Sequence, residues 1–122
     1  AIFNLKAGLD AFKRCGMTFD AVTLTGGGSK SALWRQICAD ILNLPVRILS
    51  TEENAAFGAA LQALWAYQKY NDAPISIEKI VDDHLKENKV KSCSPNDETV
   101  KTYETVYKNY QSFVKLITAH YQ

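Results

Sequence analysis

The sequence has few of the residues that indicate a disulfide-stabilised, metal-binding or membrane protein. Its 122 residues include three cysteines, Cys15, Cys38 and Cys93, with no CxxC pair and no histidine at ligand spacing. An odd, widely spaced set is typical of free thiols in a reducing compartment, and a zinc site is the alternative interpretation. The longest uncharged run, residues 54–68, is alanine-rich and contains Gly58, so it is too short and too mildly apolar for a membrane span.

Neither sign of charge dominates the sequence. Fourteen lysines and arginines face thirteen aspartates and glutamates, and the basic residues are scattered along the chain. This balance argues against nucleic acid or an anionic membrane as the main partner. The opening residues also lack the unbroken apolar stretch of a secretory signal. The missing signal segment predicts a cytoplasmic location, and the composition, with 47% hydrophobic and 22% charged residues, predicts a globular domain.

Five segments have the apolar spacing and the boundary residues of helices. The first begins at Ile2 and stops before Gly16, a residue suited to the left-handed conformation that ends helices. The second has Ser29 as its N-cap and ends at Asn43 and Pro45. The third predicted helix runs from near Ser50 to about Tyr70, and Ser50 and Glu53 have capping-box spacing. The fourth runs from Ser76 to about Leu85. The fifth begins at Ser94, with Pro95 at the first helical position.

Two short apolar runs, residues 21–25 and 46–49, predict buried strands on either side of the second helix. A strand–helix–strand unit of this length pairs its strands in parallel. Because two parallel strands leave both outer edges unpaired, we expect the chain to be a piece of a larger α/β domain. Residues 87–93 are polar and predict a connector between the last two helices.

Two of the helices have surfaces with alternative interpretations. Small residues cover one surface of the third helix, which favours tight packing on a sheet or beside a glycine turn. The alternative interpretation is that Gly58 or its neighbours form the wall of a nucleotide pocket. The last helix has an apolar seam that could form a coiled coil, but Phe113 widens it and favours packing on its own domain. The seam consists of Val100, Tyr103, Tyr107, Tyr110, Val114, Ile117 and Tyr121.

The segment LTGGGSKSALW carries the strongest functional pattern. Gly26, Gly27 and Gly28 follow a strand and precede a helix, so the backbone there can approach an anion such as phosphate. The sequence matches neither GxxxxGK[ST] nor GxGxxG, and a tight structural turn is the alternative interpretation. Lys30 is either solvated or a ligand-binding residue. We expect no catalytic residue or metal site: Asp40, Glu52, Glu53, His84 and His120 are interpreted as structural or solvated.

The segments LTGGGSKSALWRQICADILNLPV and STEENAAFGAALQALWA, in this order and spacing, resemble the carboxy-terminal part of the FGGY family of carbohydrate kinases, most of all its xylulose kinases. The resemblance covers essentially the whole chain. It implies an actin-like ATPase fold with ribonuclease-H-like domains, in which sugar and MgATP meet in a cleft between two domains. Residues 1–122 would form the carboxy-terminal part of the second, nucleotide-binding domain.

The resemblance also implies site residues. Gly26, Gly27 and Gly28 would contact ATP through their backbone, and Ser31 matches a position that reaches toward adenine in relatives. The candidate cofactor-binding set is Gly26, Gly27, Gly28, Ser29, Lys30 and Ser31. The catalytic base, the Mg²⁺-associated carboxylate and most sugar contacts belong to the amino-terminal part, so this chain alone is not expected to turn over.

Three functional hypotheses follow. The first is the ATP-binding portion of a kinase that phosphorylates D-xylulose to D-xylulose 5-phosphate, with the sugar and the amino-terminal domain as partners. The second is a sibling kinase for gluconate, glycerol or another ketose. The third is a non-catalytic interaction module, in which the tyrosine seam and the alanine-rich helix mediate dimerisation and the glycines form only a turn.

Overall fold

The computed structural model describes residues 1–51, 54–73 and 75–120. Within these ranges the chain is mostly helical with a small sheet. The elements, in chain order, are α1 (Ile2–Arg14), β1 (Val22–Thr23), a short 3₁₀ turn (Gly27–Lys30), α2 (Ala32–Leu42), β2 (Val46–Arg47), α3 (Asn54–Tyr70), α4 (Ile77–His84) and α5 (Asp97–His120).

Local sequence signals end the first two helices where predicted. After α1, Gly16 has φ +86°, a conformation that glycine adopts without the steric cost of a Cβ atom. After α2, Asn43 adopts the left-handed conformation with φ 51°, and its N–H donates to Ala39 O. Asparagine is one of the few other residues that tolerate this conformation. The predicted ends of both helices are confirmed.

The two strands pair in parallel, as predicted, but they are shorter than the apolar runs. Val22 lies opposite Val46, and the N–H groups of Val22 and Leu24 donate to Pro45 O and Arg47 O at 2.8 and 3.0 Å. Within the described residues, no further strand pairs with the outer edge of β1. The sheet therefore ends at that edge in this chain.

Residues 87–93 are more than the connector that their composition predicts. They run antiparallel along the other edge of β2, with bridges from Val46 to Cys93 and from Leu49 to Glu87. Val46 and Cys93 exchange two backbone hydrogen bonds of 2.9 and 3.0 Å. The prediction missed this pairing because the segment has no alternation of apolar residues, which is the usual sequence mark of a strand.

The core lies between α1, the second half of α2 and β2. Cys38 and Val46 are almost completely buried, and α3 packs on α4, where Leu61 and Ile80 are buried. The larger cluster comprises Ile2, Cys38, Ala39, Ile41, Leu42, Leu44, Val46 and Ile48. Burial of such side chains contributes about 1.5–3 kcal/mol each, so this cluster is the main stabilising element of the fold.

The first half of α5 packs on α1, which confirms that this helix lies on its own domain. Val100 and Tyr107 are buried, and the ring of Tyr107 lies 5.4 Å from the ring of Phe3. The Tyr107 hydroxyl donates to Asp10 Oδ2 at 3.2 Å. Burial and this hydrogen bond raise the pKa of Tyr107 above its ordinary value. Residues 111–120 are all exposed, so Val114 and Ile117 of the apolar seam are uncovered in this chain.

Two predicted N-caps are wrong by two residues. Ser31, not Ser29, caps α2, and its Oγ accepts from Trp34 N at 3.3 Å. Asn96, not Ser94, caps α5, and its Oδ1 accepts from the N–H groups of Glu98 and Thr99. Each stretch contains two residues that can cap a helix, so residue type alone does not decide between them.

The predictions for α3 and α4 have different outcomes. Ser76 caps α4 as predicted, with Oγ accepting from Lys79 N at 3.2 Å. The helix α3 begins at Asn54, and Glu53 of the predicted capping box lies outside the described residues. The small residues of α3 do not pack against a sheet or the glycine turn, since Gly58 and the alanines of this surface are exposed: Ala55, Ala56, Ala59, Ala60 and Ala63.

Among the described residues, no helix has both the length and the hydropathy that crossing a bilayer requires.

Candidate functional site

A cavity of about 310 Å³ lies at the carboxyl ends of β1 and β2. Ligands of open α/β sheets bind at this position, because the loops that follow the strands converge there. The volume is at the lower end of the range for small-molecule sites. The lining residues are Leu24, Gly26, Gly27, Ser29 and Lys30 after β1; Ile48, Leu49, Ser50 and Thr51 after β2; and Lys91.

The three consecutive glycines have three different environments. Gly26 has φ +78°, a conformation that strains any residue with a Cβ atom. A Cβ on Gly28 would lie 2.8 Å from Trp34 Nε1, so this glycine makes room for the indole ring. A Cβ on Gly27 would meet no atom within 4 Å, although Gly27 lines the cavity. The fold therefore requires the first and third glycines, whereas the second leaves open space in the cavity.

Hydrogen bonds hold the glycine turn in place. The Ser29 hydroxyl donates to Gly26 O at 2.6 Å, which closes the turn on itself. From α2, the Arg35 guanidinium donates to Ser29 O at 2.8 Å. Charge-assisted hydrogen bonds of this type are stronger than neutral ones. The backbone that lines the cavity is thus fixed from both sides before any ligand arrives.

The WRQ triplet of α2 connects the turn to the rest of the fold. Trp34 lies against Gly28, Arg35 binds the turn, and Gln36 Nε2 donates to Asp40 Oδ1 and to Ser94 O at 2.8 and 2.9 Å. Asp40 is only 4% exposed, and its Oδ1 also accepts from Asn96 N at 2.8 Å. These contacts support the structural interpretation of Asp40, which joins α2 to the start of α5.

The structure brings four of the six candidate residues to the cavity, namely Gly26, Gly27, Ser29 and Lys30. Gly28 and Ser31 are not among its lining residues, because Gly28 faces the indole of Trp34 and Ser31 caps α2. Lys30 follows the glycines within the 3₁₀ turn instead of lying inside α2. Gly58 of α3 does not line the cavity either, so the alternative interpretation of that glycine is not supported.

Sequence reasoning did not single out Ser50, Thr51 or Lys91 as site residues. Ser50 and Thr51 follow the second strand directly, and residues after neighbouring parallel strands meet at one edge of a sheet. That rule could have identified them. Lys91 lies more than forty positions from both strands in sequence, and only the pairing of residues 87–93 with β2 brings it to the cavity.

The described lining residues carry positive charge only. Lys30 and Lys91 are cationic, Ser29, Ser50 and Thr51 carry hydroxyl groups, and no described lining residue has a carboxylate. An anion is therefore the ligand that this charge pattern favours. Within the described part of the chain, no three His, Cys, Asp or Glu side chains lie close enough together to hold a metal ion.

The three cysteines are free thiols in the structure, and none lines the cavity. Cys15 is exposed, Cys38 is buried and Cys93 is half-buried. Burial raises the pKa of both Cys38 and Cys93. Because the thiolate is the reactive form, these two thiols are expected to be poor nucleophiles.

Comparison with known proteins gives a consistent result. Residues 1–67 match the C-terminal domain of the FGGY family of carbohydrate kinases. The chain is 40% identical over 110 residues to a xylulose kinase of Haemophilus influenzae, which covers 90% of this chain and 21% of that protein. It is 34% identical over 97 residues to an autoinducer-2 kinase of Enterobacter sp. strain 638, covering 80% of this chain and 17% of the relative.

Solved structures show the same fold. A xylulose kinase from Lactobacillus acidophilus aligns with a TM-score of 0.81 at 23% identity, over 97% of this chain and 23% of that one. A gluconate kinase from the same organism aligns with a TM-score of 0.80, also at 23% identity and with the same coverage. The chain spans about a fifth of the length of the curated relatives that it matches.

Proposed function

The chain belongs to the FGGY family of carbohydrate kinases, and we propose that it forms the carboxy-terminal ATP-binding portion of such a kinase. The observation that supports this proposal is Gly27, which lines the cavity although no steric contact and no unusual backbone angle requires glycine there. A glycine whose missing side chain leaves open space in a cationic cavity allows a phosphate group to approach the backbone.

ATP fits the described residues better than Mg²⁺ does. The cavity offers glycine backbone, hydroxyl groups and two lysines, which are typical phosphate ligands. It offers no carboxylate among the described residues, whereas Mg²⁺ is usually held by one or two carboxylates together with phosphates. We therefore expect Mg²⁺ to bind through the phosphates of ATP and through groups outside the described residues.

The proposed reaction of the whole kinase is transfer of the ATP γ-phosphate to a sugar. Phosphoryl transfer requires in-line positioning, a metal ion and a base in one closed cleft. The described residues supply only a phosphate-binding wall, so the chain alone should bind ATP without turning over. An amino-terminal portion would supply the base and most sugar contacts, in the two-domain ribonuclease-H-like arrangement that the family resemblance implies and in the cytoplasm.

D-xylulose is the sugar we propose. Two xylulose kinases, from Haemophilus influenzae and Staphylococcus epidermidis, are 40% and 31% identical to the chain. The autoinducer-2 kinase and gluconate kinase relatives make their own named substrates the alternatives. A panel of D-xylulose, D-gluconate, glycerol and autoinducer-2, assayed for ATP-dependent phosphorylation by the complete kinase, would choose among them. Preferred turnover of any sugar other than D-xylulose would overturn this part of the proposal.

The interaction-module hypothesis has less support. Tyr107, at the centre of the proposed dimerisation seam, packs on Phe3 of the same chain. Dimerisation through that residue would require α1 to move away. A homodimer formed through other surfaces stays a prediction that measurement of the molar mass in solution would test.

Calorimetric titration of MgATP tests the proposed site. Gly27→Asp places a carboxylate where a phosphate should approach, and we expect it to weaken ATP binding by about tenfold or more through charge repulsion. Gly8→Asp in α1 is the matched control, because a side chain there also meets no atom within 4 Å and Gly8 does not line the cavity. Equal binding by both variants would refute the site, and no binding by the unsubstituted chain would refute ATP binding by this portion alone.

A further inference from the structure

Residues 87–93 are held firmly against β2 by both backbone and side-chain hydrogen bonds. Besides the pair between Val46 and Cys93, Asn88 N donates to Ile48 O at 2.6 Å and Ser50 N donates to Lys86 O at 2.8 Å. Ile48 N donates to Ser92 Oγ at 3.1 Å. The segment is therefore fixed relative to the same strand whose continuation lines the cavity.

Within this segment, a tight turn sets the position of Lys91. Its N–H donates to Asn88 O at 3.1 Å and to Asn88 Oδ1 at 3.2 Å. The next residue, Ser92, donates to the same Asn88 carbonyl from both its N–H and its hydroxyl, each at 3.0 Å. Asn88 thus accepts four hydrogen bonds from two consecutive residues, which restricts the backbone of Lys91 to one conformation.

This turn brings Lys91 to the cavity from the far side of β2. In the pairing order, β2 lies between β1, which leads into the glycine turn, and residues 87–93. Lys91 and Gly27 nevertheless line one cavity. No described hydrogen bond, ion pair or ring contact uses the Lys91 ammonium. A cation without a partner among the described residues, in the lining of a cavity without a described carboxylate, is suited to bind an anionic ligand.

We infer that Lys91 is a polyphosphate-binding residue of this site, whose ammonium pairs with the phosphate chain of the nucleotide while the glycine backbone approaches it from the other side. This inference rests on the proposed ATP-binding function. Lysine acts on phosphate as a point charge on a flexible stem, so its contribution should depend on the charge of the phosphate chain and not on the base or the ribose.

The test compares nucleotides that differ only in the length of the phosphate chain. Adenosine, AMP, ADP and ATP are titrated into the unsubstituted chain and into Lys91→Met, which keeps the apolar stem and removes the charge. We expect Lys91→Met to weaken ATP binding by about tenfold, ADP binding by less, and adenosine binding not at all. Lys91→Arg, which restores the charge, should recover most of the affinity for ATP.

Lys89→Met is the matched control. Lys89 belongs to the same turn and is also exposed, but it lines a different surface pocket together with Pro45 and Glu87. Its removal changes the net charge equally and should leave the affinity for every nucleotide within about twofold of the unsubstituted chain, because an exposed charge that does not line the cavity is screened by salt.

The outcomes separate this inference from the proposed function. If the unsubstituted chain binds ATP, Gly27→Asp does not, and Lys91→Met binds as Lys89→Met does, the role of Lys91 is refuted and the ATP site stands. An equal loss for ATP and adenosine would also refute it, because the substitution would then act through the turn and not through charge. If the unsubstituted chain binds no nucleotide, both proposals fail.

Discussion

The glycine turn and helix α3 are both built from residues with little or no side chain, but they differ in what surrounds them. At the turn, the Ser29 hydroxyl, the Arg35 guanidinium and the indole of Trp34 all contact the glycine backbone or the space beside it. In α3, Gly58 and the neighbouring alanines are exposed. Gly26 and Gly28 are thus required by a backbone angle and by a close contact, whereas Gly58 has no left-handed φ and a Cβ there would meet no atom within 4 Å.

This difference shows how to interpret small residues in a sequence. A glycine is informative when its neighbours are fixed, because one can then ask what a Cβ would meet. By that criterion Gly28 is structural, since a Cβ would meet Trp34, whereas Gly27 faces open space in the cavity. A Cβ on Gly58 would also meet open space, but Gly58 lines neither the cavity beside the glycine turn nor the pocket beside Pro45 and Glu87.

The largest expected effect comes from removing the buried carboxylate of Asp40, which lies on α2, the helix that also carries Trp34 and Arg35. Asp40→Ala would leave Asn96 N without its acceptor and would remove one of the two acceptors of Gln36 Nε2. We expect it to lower the free energy of unfolding by about 3 kcal/mol. Urea unfolding followed by circular dichroism measures this change. Asp40→Asn keeps an oxygen that can accept both hydrogen bonds and should cost about 1 kcal/mol. Equal losses would show that the charge, and not the hydrogen bonding, stabilises the junction between α2 and α5.

The next effect concerns the space beside Gly28. Gly28→Ala places a Cβ 2.8 Å from Trp34 Nε1, so the indole must move, at a cost of about 1–2 kcal/mol. The same substitution in a Trp34→Ala background should cost less, because the clash is absent. Thermal unfolding of the four proteins in this double-mutant cycle gives the coupling energy. A coupling energy of zero would contradict the steric interpretation of Gly28.

On the exposed surface of α3, we expect a substitution to stabilise the protein. Gly58→Ala adds a methyl group that meets no atom within 4 Å, and it removes the backbone freedom that glycine has in the unfolded chain. We expect it to raise the free energy of unfolding by about 0.5–1 kcal/mol and to leave ATP binding unchanged. A loss of stability would show that something covers this surface of α3 in solution.

The smallest expected effect is a decrease in the free energy of unfolding at alkaline pH, caused by the thiols of Cys38 and Cys93. The pKa values of Cys38 and Cys93 are raised above the ordinary 9.0, chiefly by burial. Folded thiols therefore stay protonated where unfolded thiols ionise, so their contribution to stability is complete below pH 9.0 and declines as the pH rises above it. Unfolding measured up to about pH 9.5, which is below the ordinary pKa of 10.0 for Tyr107, should show this decline.

Cysteine variants separate this decline from other alkaline effects. The double substitution Cys38→Ala and Cys93→Ala should flatten the pH dependence, whereas Cys15→Ala, which removes an exposed thiol, should leave it unchanged. An identical slope in all three proteins would contradict the assignment to the buried thiols.

Much of the fold follows from local rules. The apolar spacing of α1, the left-handed stops at Gly16 and Asn43 and the parallel pairing of β1 with β2 were all predictable. The caps were less so, because Ser29 and Ser31 are equally good N-caps by type. The choice depends on Gly26 O, which accepts the Ser29 hydroxyl and leaves Ser31 to cap the helix.

The candidate site was predictable in part. A glycine run between a strand and a helix indicates an anion site by backbone geometry alone, and four of the predicted residues line the cavity. Lys91 could not be predicted, because it reaches the cavity through a pairing in which Ser92 and Asn88 make hydrogen bonds that no hydropathy pattern records. Exposure of Phe113 and Leu116 was also unpredictable, because an apolar pattern shows which surface is suited to burial but not whether the chain contains its partner.

The position of Trp34 gives this protein an intrinsic optical probe. The indole is 39% exposed and lies directly beside the glycine turn, so its emission depends on how much water reaches that turn. Trp65, on α3, has the Lys69 ammonium 4.7 Å from its ring centre and lies on a different element, so Trp65→Phe would isolate the signal of Trp34. Any molecule or domain that covers the turn should then shift the emission to shorter wavelength, in real time and without a chemical label.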